Sequence, residues 1–326
     1  MRAPTRRLTP PAYAAPRWLP GGHAQTIYGS RLRGTRPPLR RERVDTPDGD
    51  FWDFDWLDAP DVRGPLVALF HGLEGGAGSH YARALMHALD ARRWAGVIPH
   101  FRGCGGELNR MARAYHSGDH EEIGALLAAI RARSDRPLYA VGVSLGGSAL
   151  LNWLGRHEHR ARDILEAAAA VSAPLDLSAA GIAIGQGFNR VYTRHFLATL
   201  KPKSLDMAAR FPGRLDPARI RAARTMWQFD EVVTAPLHGF AGAEDYWRRA
   251  SSKPWLRAVG VPVLVLNARN DPFIPAASLA TRGEVSEHVL LEQPSDGGHA
   301  GFPAGPFPGH VGWLPRRLLH FFDYGL

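Results

Sequence analysis

The chain reads as an α/β protein: a mostly parallel central sheet with helices on both faces and a helical lid insertion. Two observations carry this. From Leu66 to Ser172 short apolar runs of strand type alternate with helical stretches, the order that builds a parallel sheet covered on both sides. Between Pro174 and about Pro254 the alternation stops, and it resumes at Val261, so a long helical segment interrupts the sheet. With 326 residues, 45% of them apolar, the chain can bury a sizeable core.

Taken in order, residues 1–39 are rich in proline and arginine and are expected to form an irregular arm packed on the domain through Trp18, Ile27 and Tyr28. Within it, His23 of Gly21-Gly22-His23-Ala24-Gln25-Thr26 reads as a loop histidine. The domain proper is expected to span 40–326. Arg41 to Thr46 and Phe51 to Leu57 flank Pro47-Asp48-Gly49 and read as an antiparallel hairpin. Leu66 to Phe70 is the first fully apolar strand, running into His71-Gly72-Leu73-Glu74-Gly75-Gly76. A helix from Ser79 to about Arg93, a strand from Gly96 to Pro99 and a helix from about Asp119 to Arg133 follow. Pro137 to Val141 and Ala167 to Ser172 read as strands on either side of a helix that begins at Leu145. The insertion at about 174–254 is helical and aromatic-rich, the character of a lid over a pocket, with most of its aromatics forming its own small core. Strands at Val261 to Leu266 and Glu287 to Leu291 and an amphipathic helix from Trp313 to about Tyr324 complete the chain.

Charge and cysteine content narrow the function. The formal net charge is +9, yet lysine occurs only at Lys201, Lys203 and Lys253 and the arginines are dispersed, so no nucleic-acid partner is expected. The basic stretch Arg2, Arg6, Arg7, Arg31, Arg33, Arg36, Arg40 and Arg41, with no acid before Glu42, is expected to lie solvated over the domain instead of meeting a membrane. The longest apolar runs are too short to span a bilayer, and Met1 to Arg7 is not followed by an apolar signal core. Together with the single Cys104, this predicts a cytoplasmic protein. Gly103-Cys104-Gly105-Gly106 lacks the third glycine of a dinucleotide fingerprint, having Leu108 there, and no P-loop lysine follows any glycine-rich turn. His116 and His120 superficially resemble zinc ligands, but Gly118 and a helix start at Asp119 break the single turn such ligands need. The expectation is a protein without cofactor or metal.

The chemistry centres on Gly142-Val143-Ser144-Leu145-Gly146-Gly147. A Gly-x-Ser-x-Gly between a strand and a helix lifts a serine hydroxyl above the strand ends; the crowding of that turn admits little but glycine two residues either side. A serine needs a base and an orienting acid to act as a nucleophile. In the α/β-hydrolase fold the three follow in the order Ser, Asp, His, and the chain supplies Ser144, Asp271 after the Val261 strand and His299 after the next. Asp176 and His310 are the competing acid and base. The oxyanion of a tetrahedral intermediate would be held by the backbone N–H groups of Leu73 and Leu145.

Those motifs, with Gly22 to Thr26, His71 to Gly75, Arg102 to Asn109, Tyr115 to Gly118, Asn270 to Phe273 and Gly298 to Phe302, resemble the YheT-like branch of the α/β-hydrolases over nearly the whole chain. Glu122 departs from the resemblance, which leads one to expect an aspartate early in that helix. The resemblance implies esterase or lipase-like action on carboxylic esters, with Ser144, Asp271 and His299 as the triad. The aromatic lid favours acyl groups of short to medium length, acylglycerols and other lipid esters included. An acyltransferase using the same triad, or a non-catalytic ligand-binding protein of the same fold, are the alternatives.

Overall fold

The computed structural model of the chain describes residues 12–32 and 34–325. Among them an eight-stranded sheet runs in the order β1-β2-β4-β3-β5-β6-β7-β8. The strands are β1 (Arg40–Asp45), β2 (Phe51–Leu57), β3 (Leu66–Phe70), β4 (Ala95–His100), β5 (Leu138–Val143), β6 (Ala167–Val171), β7 (Val263–Leu266) and β8 (Val289–Glu292). β1 and β2 pair antiparallel, as do β2 and β4; from β4 to β8 every pairing is parallel. β8 begins two residues later than the sequence suggests.

Helices cover both faces because the central strands are buried on both. On one side α3 (His120–Arg131) and α4 (Leu145–His157) bring Ile123, Leu127, Leu150 and Trp153 to the core. On the other, α2 (His80–Ala91) and α11 (Trp313–Tyr324) bring Leu85, Met86, Leu318 and Phe321. β2 shows a strict two-residue alternation: Trp52, Phe54 and Trp56 join the core, while Asp53 and Asp55 on the opposite face meet Arg43 and Arg41 of the neighbouring strand. Arg40 likewise pairs with Asp58 at 3.1 Å. Part of the basic N-terminal stretch is thus neutralised within the hairpin. Arg31 and Arg36 are exposed, and Arg2, Arg6, Arg7 and Arg33 lie outside the described residues.

The arm departs from the irregular chain expected of it. Residues Gly22–Arg31 form a helix, α1, and His23 is helical.

Between β6 and β7 the chain leaves the sheet and builds α5 (Leu177–Ile184), α6 (Arg190–Arg210), α7 (Pro217–Ala222), α8 (Met226–Phe229), α9 (Ala235–His238) and α10 (Ala243–Ala250). Leu200, Met207, Ile220, Phe229 and Val233 form a core of their own. Asp230–Thr234, between α8 and α9, is a π-helical turn. Pro236 follows it and brings no N–H to the helix, so a wider turn there costs less than it would elsewhere. Among the described residues no helix is long and apolar enough to cross a membrane.

Candidate active site

The order of the sheet decides where a site can form. β3 lies between β4 and β5, so the chain winds outward in one direction from β3 and in the other from β5. Loops leaving the carboxyl ends of two such strands diverge and leave a crevice. The loop after β3 carries Leu73, and the turn after β5 carries Ser144.

Ser144 sits between β5 and α4 with φ 53° and ψ −121°, a backbone conformation that costs a non-glycine residue energy. Its N–H donates to the carbonyl of Val171 at 2.8 Å and its carbonyl accepts from the N–H of Ser148 at 3.0 Å. The glycines around it are compelled by contact: a Cβ on Gly142 would lie 2.6 Å from the carbonyl oxygen of Gly146, and one on Gly146 would meet the carbonyl oxygens of Phe70 and His71. No side chain fits at either place.

The Ser144 hydroxyl lies 2.9 Å from His299 Nε2, and His299 Nδ1 donates to Asp271 Oδ2 at 2.8 Å. The Asp271 side chain is fully buried, and its other oxygen accepts from the N–H of Phe273 at 2.8 Å. With Nδ1 carrying the proton toward the carboxylate, Nε2 is free to accept from the serine. The two competitors stand elsewhere. Asp176 caps α5, accepting from the N–H of Ala179, and His310 is exposed in a bridge to Ala304, with Nδ1 accepting from the N–H of Gly312.

The loop after β3 is held by His71, Tyr81 and Tyr115, of which the sequence points only to His71 as a structural residue. His71 is wholly buried: its Nδ1 donates to the Gly72 carbonyl at 2.8 Å and its Nε2 accepts from the N–H of Phe101 at 3.2 Å. Burial pulls its pKa down to about 3, and the neighbouring His100 adds to the effect, so the ring stays neutral and keeps this tautomer. Tyr81 accepts from the N–H of Gly72, and Tyr115 accepts from the N–H of Glu74 while donating to Glu74 Oε1. Among the described residues the N–H groups of Leu73 and Leu145 meet no protein acceptor. Both residues line the same cavity as Ser144 and His299.

That cavity has about 170 Å³ open to the centres of water molecules. The helices between β6 and β7 line it with Ile184, Leu200, Met207, Phe229 and Val233, and Ile274 lines it near Asp271. Polar groups interrupt the apolar lining, Glu74, Lys203 and Asp230 among them. Lys203 of α6 forms an ion pair with Glu74 at 2.9 Å, tying the lid to the loop of Leu73. Asp230 is buried in the lid, accepting from Thr234 Oγ1 at 2.6 Å and Trp247 Nε1 at 2.8 Å; burial raises its pKa to about 6.

Arg102, Cys104 and Glu122 support the cavity wall. The Arg102 guanidinium is buried between Asp50 at 2.9 Å, Asp48 at 2.7 Å and Glu122 at 2.9 Å, and Trp52 Nε1 also donates to Glu122. The longer side chain of Glu122 therefore serves a structural hub. Asp119 begins α3 as its cap. Cys104 is half-buried, 4.0 Å from Lys203 Nζ, and burial raises its thiol pKa to about 11, which keeps it from being a reactive thiolate. His116 lies in the loop, edge-on to His238 with ring centres 4.5 Å apart, and accepts from the N–H of Gly118, while His120 opens α3.

Residues 65–306 match the family model described as the alpha/beta hydrolase fold. The chain is similar to YheT of Escherichia coli strain K12, described as a candidate esterase, with 38% identity over 85% of this chain and 82% of that one. It is similar to human phospholipase ABHD3 at 27% identity, over 93% of this chain and 76% of the relative. Among solved structures, the esterase Pf2001 of Pyrococcus furiosus superposes with a TM-score of 0.55 at 14% identity, covering 88% of this chain and 91% of that one. At that identity the likeness concerns the fold.

Proposed function

Because the chain belongs to the α/β-hydrolase family, in the branch that contains YheT, we propose that it is a serine esterase acting on carboxylic esters of short to medium acyl chain. The observation that carries the reading is the unbroken line of hydrogen bonds from Asp271 through His299 to Ser144, opening on an apolar cavity under the lid. In this reading His299 Nε2 takes the hydroxyl proton as Ser144 Oγ attacks the ester carbonyl. The N–H groups of Leu73 and Leu145 receive the developing oxyanion, and His299 returns the proton to the departing alcohol. Water, deprotonated by the same imidazole, then attacks the acyl carbon, and the imidazole gives that proton to Ser144 Oγ as the acyl–Oγ bond breaks and the acid leaves. Asp271 stays ionised and holds the ring in the tautomer that accepts from serine.

Residues 174–254 act as the lid, and their apolar side chains receive the acyl chain. The partner is a small-molecule ester, and no step requires a metal or cofactor. The names of the relatives, a phospholipase and a monoacylglycerol lipase among them, favour an acyl ester of a glycerol backbone within this class.

Hydrolysis of p-nitrophenyl esters of increasing chain length by wild type, Ser144→Ala and His299→Ala tests this. Each variant should lose about four to six orders of magnitude in kcat. Equal activity in all three would remove Ser144 and His299 from the reaction. A maximum at chains far longer than the cavity admits would overturn the assignment of acyl length.

A further inference from the structure

The loop that carries His299 is built on unusual backbone. Gly297 and Gly298 precede the histidine at φ 147° and 62°, and Ala300 and Phe302 after it also have positive φ. A segment so rich in glycine and unusual backbone needs partners from outside to keep one conformation. The loop of Asp271 is a separate turn after a different strand, so the distance between acid and base depends on something that grips both.

Helix α1 does so. The Gln25 side chain is fully buried; its Nε2 donates to the Leu19 carbonyl, and its Oε1 accepts both from the N–H of Gly297 at 2.9 Å and from Asn270 Nδ2 at 3.0 Å. Asn270 immediately precedes Asp271, and its Oδ1 accepts from the N–H of Gly298 at 3.0 Å. One residue on, Thr26 Oγ1 donates to the Gly22 carbonyl at 2.7 Å and accepts from the N–H of His299 itself at 2.8 Å. The fit leaves no slack: a Cβ on Gly22 would collide with the carbonyl of Asn270, and one on Gly298 would lie 2.8 Å from Thr26 Oγ1.

We propose that Gln25 and Thr26 are positioning residues of the hydrolytic site, setting His299 and Asp271 in register with each other and with Ser144. Neither touches the reacting atoms. Thr26 fixes the backbone of His299 directly, and Gln25 bonds one group from each loop with a single oxygen. The inference rests on the reading of Ser144 and His299 given above. It assigns to a helix of the N-terminal arm a share in the rate of a reaction whose nucleophile, acid and base all lie more than a hundred residues further along the chain.

Thr26→Val keeps the shape of the side chain and removes the acceptor; Thr26→Ser keeps the acceptor. Gln25→Met removes both acceptor bonds. Tyr28→Phe, on the same helix, removes only an exposed bond to the Pro308 carbonyl and serves as control. With p-nitrophenyl butyrate, and with active sites counted by fluorophosphonate titration so that unfolded protein drops out, Thr26→Val and Gln25→Met should lower kcat per site by about ten- to a hundred-fold while KM changes less than about three-fold. Thr26→Ser should return to within about three-fold of wild type. The second-order rate of fluorophosphonate labelling should fall in step with kcat. Wild-type kcat per titrated site in Thr26→Val and Gln25→Met would overturn the inference, as would a loss equal in Tyr28→Phe. Labelling of wild type that survives Ser144→Ala would instead overturn the underlying reading of the site, whatever the arm variants do.

Discussion

At the elbow, backbone packs on backbone: Gly142 and Gly146 approach main-chain atoms so closely that a methyl group has nowhere to go. Across the cavity the lid is held differently. Its helices meet through Leu200, Met207, Ile220 and Phe229, and its polar ties to the rest of the protein are side chains such as Lys203. Main-chain contacts fix position to a fraction of an ångström and tolerate no added volume. Side-chain contacts tolerate exchange at modest cost. Ser144 is therefore set rigidly, while the apolar surface across the cavity can change without disturbing it.

Three experiments sharpen this contrast. The largest effect is expected at the elbow: Gly146→Ala should destabilise the protein by about 3 kcal/mol or more, read as a shift in the urea midpoint, because overpacking falls on rigid main chain. Fluorophosphonate labelling should disappear with it. A variant of wild-type stability would show that the turn yields as readily as the lid.

The next effect lies inside the lid. Asp230, whose pKa burial raises from 3.8 to about 6, is protonated in both folded and unfolded protein only well below pH 3.8. As pH rises from about 4 to 6 the unfolded chain gives up this proton and the folded chain keeps it, so the contribution to stability falls, and it levels off above the folded pKa. A rise of that size corresponds to about 3 kcal/mol. Thermal melts of wild type and Asp230→Asn across pH 4 to 7 should show a difference that moves by an amount of that order in favour of the variant. Parallel curves would mean that Asp230 titrates normally.

The smallest effect is expected where the two regions touch. Lys203→Met leaves Glu74, only 10% exposed, without its cation, and Glu74 belongs to the loop that presents the N–H of Leu73. A fall of about ten-fold in kcat/KM for p-nitrophenyl butyrate is expected, the size of one charge-assisted hydrogen bond. An unchanged value would make lid and loop independent.

The central strands were readable because they are buried on both faces and so stand out as unbroken apolar runs, as in Leu66 to Phe70 and Val263 to Leu266. The elbow was readable because glycine contacts leave a spacing in the sequence. Helix α1 was not. The residues it buries are Gln25, Thr26 and Gly29, so no apolar stripe marks it, and the prolines and arginines around it read as irregular chain. The same holds for Arg102: its neighbours in sequence say nothing of Asp48, Asp50 and Glu122, which the folded chain brings to it from two other segments. Apolar periodicity reports what faces a core. Buried polar side chains that grip loops leave no such trace, and in this protein they hold the loops of Asp271 and His299.

The left-handed backbone at Ser144 bears on how this chain can change over time. A glycine there would adopt the same φ without strain, releasing on the order of 1 kcal/mol, and would remove the hydroxyl. Selection for thermal endurance alone would favour that replacement, and selection for turnover forbids it. If Ser144 acts as proposed, the fold is thus kept below its own stability optimum at that residue.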